Sequence, residues 1–189
     1  MNREEALRVV REHTKNENLV RHMVAVEACM RALAVRLEGD PETWGMAGLL
    51  HDADYEELKD SPEVKSLHTK KTVEWLGGED VPGEVVDAIK AHAWGYVEGA
   101  PEPKTSMEWA LYTCDELTGL IVAVALVKGG KLGDVTVESV MKKWKQRAFA
   151  AGANREQIAM CEEKLGIDLT EFVGICLDAM KGISGELGL

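Results

Sequence analysis

Residues 44–56 read WGMAGLLHDADYE. A run of small and apolar residues, Trp44 to Leu50, stops abruptly at His51 and Asp52. Two polar side chains at the end of a buried helix are costly unless they find partners or reach solvent. Histidine suits a helix C-terminus, whereas an aspartate there opposes the negative end of the helix dipole. Either the helix surfaces into water at this point, or a cation lies nearby and removes the conflict. Upstream, Asp40 and Pro41 supply an N-cap and a first-turn proline, which predicts a helix ending near Leu50. Downstream, residues 52–62 are acidic and irregular in pattern, which predicts a loop.

The helical period continues over nearly the whole chain, and no stretch alternates with period two. Helices are predicted over about 3–14, with Asn2 and Glu5 as a cap pair, and over about 16–37, where Thr14 and Glu17 match a capping box. The apolar stripe of the second is Leu19, Met23, Val26, Met30, Leu33 and Leu37. A short helix over about 67–76 stops at Gly77-Gly78, and another covers about 83–93. Residues 94–104 read as a loop. Ser106 then caps a long apolar helix reaching Val127, ended by Gly129-Gly130. Three more helices follow, at about 136–145, 155–165 and 169–187, the last two opening on the pairs Asn154/Gln157 and Asp168/Glu171. The expectation is an all-α single domain, 1–189, of eight or nine helices. Its core spans about 16–127, with the helices of about 136–187 packed on it.

A chain of 189 residues is long enough to bury a substantial core. Its formal charge of −11 argues against gripping a nucleic-acid polymer or an anionic membrane surface. A small phosphorylated substrate stays compatible, because a bound metal reverses the local potential. The first residues, MNREEALRVV, read as a charged helix rather than a signal peptide. The apolar run Leu120–Val127 is too short to span a bilayer. Cys29, Cys114, Cys161 and Cys176 show no CxxC spacing and read as reduced packing thiols, which predicts a cytoplasmic protein.

Several polar residues sit where apolar ones are expected. His22 lies on the stripe of the second helix, as either a hydrogen-bonded core histidine or a ligand. Asp115 shares a helical face with Leu111, Thr118 and Val122. Either that face is exposed and Glu116 points inward, or Asp115 is buried against an Arg, a Lys or a metal. Imidazole and carboxylate donors together suit Zn, Mn, Fe or Ni. His13, at the end of the first helix, reads as surface.

An inward His, an HD pair closing an apolar helix and an Asp inside a later apolar helix resemble the HD phosphohydrolase superfamily, whose order is H…HD…D on an all-α core. The match places His22, His51, Asp52 and Asp115 on the four family positions. The phrases AGLLHDADYE and AIKAHAWG are similar to small HDIG-type proteins. Some subfamilies hold a second metal with two further histidines, and His68 and His92 stand in matching order. The resemblance implies one or two divalent ions (Mn, Fe, Ni, Co, Zn or Mg), with Asp52 bridging them. It implies hydrolysis of a small phosphorylated substrate, expected to be a nucleotide, by metal-activated water. Asp52, Asp54 and Glu56 are the candidate catalytic residues; Arg21, Lys70, Lys71, Lys90 and Arg147 are candidates for phosphate contact.

Departures narrow the substrate. The chain has HDAD where the family label reads HDIG. Gly95-Tyr96-Val97 only echoes the GYP triplet of cyclic-di-GMP phosphodiesterases, and Tyr55-Glu56 replaces the HDxxED pattern of guanosine tetraphosphate hydrolases. The ligand order is similar to that of symmetrical diadenosine tetraphosphate hydrolases and of the superfamily's mixed-valent di-iron oxygenases. An oxygenase and a non-catalytic nucleotide-binding module are therefore the alternatives to a hydrolase.

Overall fold

A computed structural model describes residues 1–189. The chain is helical throughout, with no strand, in the order α1 (Arg3–His13), α2 (Glu17–Arg36), α3 (Pro41–Leu50), α4 (Tyr55–Leu58), α5 (Val64–Leu67), α6 (Lys70–Trp75), α7 (Gly83–Ala91), α8 (Ser106–Val127), α9 (Val137–Trp144), α10 (Arg155–Leu165), α11 (Leu169–Gly182) and α12 (Ser184–Leu187).

Side-chain caps set most of the long-helix starts by taking up free N–H groups of the first turn. Asn2 and Glu5 form the reciprocal box at α1, and Asp40, Asn154 and Asp168 cap α3, α10 and α11. Two starts differ from the sequence expectation. Asn16, not Thr14, caps α2, and Thr14 Oγ1 instead donates to the Ala53 carbonyl at 3.1 Å, tying the α1–α2 junction to the turn after His51. Thr105, not Ser106, caps α8. The predicted loop after Asp52 contains the single turn α4. The predicted helix 67–76 is broken at His68 and Thr69, and the last helix breaks at Ile183.

The apolar core is continuous from Ala6 in α1 to Leu187 in α12. At its centre α2 packs against α3, α8 and α11. The α9–α11 segment joins the same core through Val140, Ile158, Phe172, Val173 and Met180. All four cysteines are free and buried. His13 is not a bare surface residue, because its ring stacks on Trp75 with centroids 3.6 Å apart. The apolar run Leu120–Val127 ends α8, which has the bounds expected from the sequence. α8 is long and apolar enough by itself to cross a membrane, yet most of it is buried inside the bundle, where α2, α7 and α10 pack on it.

Glycine allows α2 and α3 to approach backbone to backbone. A Cβ on Gly48 would lie 2.9 Å from the Glu27 amide nitrogen and from the Val26 carbonyl. This contact sets the position of His51, since the Gly48 carbonyl accepts the His51 Nδ1–H bond at 2.8 Å. Beside it, the buried Glu27 carboxylate is held by Arg3 Nε at 2.7 Å and Arg31 Nε at 3.1 Å. Gly48→Ala is expected to cost about 1–3 kcal/mol by overpacking, lowering the melting temperature by several degrees. Gly119→Ala on α8, where an added Cβ meets nothing within 4 Å, is expected to be neutral or stabilising. Thermal unfolding of the two variants checks the contrast.

Candidate metal centre

Five segments converge on Asp52. α2 contributes His22, the end of α3 contributes His51 and Asp52, the α5–α6 junction His68, the end of α7 His92, and the middle of α8 Asp115. Asp52 Oδ2 lies 3.8 Å from His22 Nε2 and 3.6 Å from His51 Nε2. Asp115 Oδ1 closes this group at 2.9 Å from His22 Nε2 and 3.5 Å from His51 Nε2. The other oxygen, Asp52 Oδ1, lies 3.4 Å from both His68 Nε2 and His92 Nε2. One carboxylate therefore faces two separate donor groups, one with each oxygen.

The Nδ1 atoms fix the tautomers. His51 Nδ1 bonds the Gly48 carbonyl at 2.8 Å, His92 Nδ1 the Ile89 carbonyl at 2.6 Å, and His68 Nδ1 the Asp54 carboxylate at 2.7 Å. His22 Nδ1 meets Thr118 Oγ1 at 3.3 Å, and that hydroxyl already donates to the Asp115 carbonyl. Each of these oxygens can only accept, so each Nδ1 carries hydrogen and each Nε2 is left with a lone pair. A lone pair facing a carboxylate needs a positive charge between them, either a proton or a metal ion.

The residues fit a metal. His51 Nε2 is fully buried without a hydrogen-bond partner, an orphan that a metal ion would satisfy. Two ligands about 2.1 Å from one ion at a tetrahedral angle lie about 3.4 Å apart, close to most of the separations here. Both donor triads, His22–His51–Asp115 and His51–Asp52–His92, bring their ligand atoms within 4.8 Å of one another. In the metal-free state a proton takes this role at His22. Burial works against a charged His22, but the hydrogen bond to Asp115 and the charges of Asp115 and Asp52 outweigh it and raise its pKa to about 9. His51 is raised in the same way against burial, chiefly by Asp52 and Asp115. Burial likewise opposes ionisation of Asp52 and Asp115, yet the surrounding imidazoles hold both carboxyls below the usual range.

A cleft of about 640 Å³ opens over this cluster. Five of the six expected ligand residues line its floor and His51 is buried beneath it, whereas the other sequence candidates do not line it. Asp54 and Glu56 correct the expectation of substrate-facing acids. Asp54 is fully buried behind His68, and Glu56 accepts the backbone N–H groups of Lys15 and Asn16, at 2.6 and 2.9 Å. The basic candidates need the same correction. Arg21, one residue round the helix from His22, lines a neighbouring groove beside the C-terminus, which shares His22 with the cleft but none of the other candidate ligands. Lys71 pairs with Glu57, Lys90 lies 3.9 Å from Asp87, Lys70 is exposed on α6, and Arg147 pairs with Glu156 at 2.7 Å.

The sequence reading missed the upper walls. Tyr55, Trp94, Tyr96 and Tyr112 supply aromatic surface, and Glu116, Asn154 and Gln157 supply polar groups. Glu116 was half visible as the second acid in an apolar helix. Asn154 and Gln157 carry no sequence signal for a site, since they look like an ordinary helix cap.

This fold and cluster define a helical protein built around a candidate metal centre. Residues 19–124, more than half of the chain, match the family model described as HD domain, so the protein belongs to the HD domain family. All six candidate ligands lie inside the matched segment. No curated protein matches the chain.

Metal binding must displace the proton on His22. Titration of the metal-free protein with Zn or Mn near pH 7.5 is expected to release about one proton or more, read by calorimetry in two buffers of different ionisation enthalpy. The raised His22 pKa stabilises the metal-free fold fully below its ordinary value of 6.5, and that contribution is lost as pH rises through about 9. The metal-free melting temperature is therefore expected to fall across this window, and bound metal should flatten the fall.

Proposed function

We propose that this protein is a metal-dependent phosphomonoesterase whose substrate carries a single phosphoryl group on a polar, ring-bearing remainder such as a nucleoside. The supporting observation is the cleft: it lies over the six-ligand cluster, and none of its sixteen lining residues is Lys or Arg. Positive charge at its floor comes only from the ligand cluster, and Glu116 adds a negative charge to its wall. A chain of phosphates would meet no further cation there, and like charges brought together cost several kcal/mol.

His22, His51, Asp115 and Asp52 Oδ2 would hold one divalent ion, and His68, His92 and Asp52 Oδ1 a second. Such ions supply hydroxide at neutral pH and polarise phosphoryl oxygens. Tyr55 borders the floor next to His68, with ring centroids 5.5 Å apart. Burial, Tyr96 and the nearby carboxylates push its pKa up, so its phenol stays a hydrogen-bond donor for a phosphoryl oxygen. The opposite wall suits the leaving group. Gln157 Nε2 is committed to the Tyr112 carbonyl at 2.7 Å and one Glu116 oxygen to the Asn154 N–H at 2.9 Å. The second oxygen of Glu116 and Oε1 of Gln157 remain as acceptors for hydroxyl or amino hydrogens. Tyr96, nearly half exposed at 47%, offers a face for ring stacking at the mouth.

The same cleft favours one second reading. An uncharged polyol would suit it, and the same six ligands would serve a mixed-valent di-iron oxygenase.

The test is phosphate release from nucleoside mono-, di- and triphosphates, diadenosine tetraphosphate and a phosphodiester, each with Mn, Mg, Ni, Co, Fe and Zn. Monophosphates are expected to exceed triphosphates in kcat/KM by at least about tenfold, and Asp52→Ala should abolish both turnover and metal binding. A preference for polyphosphates would overturn the single-phosphoryl reading. Oxygen consumption by the iron form, without phosphate release, would establish the oxygenase instead.

A further inference from the structure

We propose that Asp54 is the positioning residue that makes the centre dinuclear, by locking His68 as an Nε2 ligand; the proposal rests on the metal reading above. Asp54 is 0% exposed, yet every bond it makes is directed at the segment carrying His68. Its Oδ1 accepts from His68 Nδ1 at 2.7 Å and its Oδ2 accepts from Thr72 N at 3.1 Å. Its own backbone N–H donates to Thr72 Oγ1 at 3.2 Å. These three bonds span the start of α6, which has no cap of its own: Thr69, at the cap position, makes no capping hydrogen bond. Thr69 also has φ of 71°, a left-handed conformation that a β-branched residue adopts only at a cost. The Asp54 clamp holds that strained turn, and the turn aims His68 at Asp52.

The two halves of the cluster are unequal without Asp54. One half has two imidazoles, Asp115 and one oxygen of Asp52. The other has two imidazoles and the second oxygen of Asp52, with no carboxylate of its own. Three of the imidazoles rest on neutral oxygens, at Gly48, Ile89 and Thr118, whereas His68 alone rests on a carboxylate. A carboxylate behind an imidazole fixes its orientation and strengthens it as a donor, and removing such a partner typically weakens metal affinity about 10–100-fold. The negative charge that the second half lacks is thus supplied one residue further out.

Asp54→Asn is the informative change because it keeps size and shape. If the amide oxygen faces His68, its NH2 meets the Thr72 N–H, donor against donor. If it is turned round, its NH2 donates to His68 Nδ1, and hydrogen moves to Nε2, the atom needed for the metal. Metal content and calorimetric titration with Mn are expected to give two ions per wild-type chain. In Asp54→Asn one ion should bind as before and the other about 10–100-fold more weakly. Electron paramagnetic resonance should change from coupled to isolated Mn, while circular dichroism stays unchanged. His68→Ala should lose the same ion, and the double variant should lose nothing more, as expected of two residues acting through one contact.

Two ions bound by Asp54→Asn with wild-type affinity would overturn the proposal and leave the metal reading intact. No ion in the wild type would overturn both. Should Asp54→Asn not fold, nitrogen-15 NMR of the imidazoles in the zinc-loaded wild type gives an independent readout. His68 with Nδ1–H and metal-bound Nε2 supports the proposal, and a metal-bound Nδ1 overturns it.

Discussion

Around Asp52 four imidazoles have their Nδ1–H groups bound to oxygen acceptors, so each turns an Nε2 lone pair toward a carboxylate. Lone pairs facing one another in a buried site are repulsive, and only positive charge between them makes the arrangement favourable. The rest of the molecule supports this one constraint. Five chain segments are brought to a single carboxylate, and each of the four imidazoles is anchored through Nδ1 on the far side of its ring.

The scaffold supplies the anchoring through close helix packing. α2 and α3 touch backbone to backbone at Gly48, whose carbonyl then orients His51. His92 uses the same device at the end of α7, bonding the carbonyl three residues earlier. α8 is apolar along most of its length because it is buried in the bundle, and it turns Asp115 and Glu116 into the cleft. The C-terminal helices share the core and set Gly152, Asn154 and Gln157 against the opening. The candidate metal ligands thus belong to the family segment, whereas part of the cleft wall lies beyond it.

His22, His51, Asp52 and Asp115 were legible because each breaks an apolar pattern at a position where polarity has a cost. Most helix starts were legible from their caps, since capping acts over three residues of sequence. Thr14 shows where that local reading fails: its hydroxyl found a better partner in Ala53, far along the chain. Asp54 and Glu56 look alike in sequence, two acids just after the HD pair. Only the fold separates them, burying one against His68 and binding the other to the start of α2.

The amino-acid sequence by itself determined the helical architecture and marked His22, His51, Asp52 and Asp115 as polar breaks in apolar patterns, because periodicity and capping are local properties of the chain. The tertiary structure alone decided that Asp52 serves two donor groups at once, that Asp54 stands behind His68, and that no lysine or arginine reaches the cleft. Those facts depend on distances between segments far apart in sequence, and side-chain direction changes by about 100° with each helical residue. Arg21 therefore does not line the cleft that His22, its neighbour, helps to build.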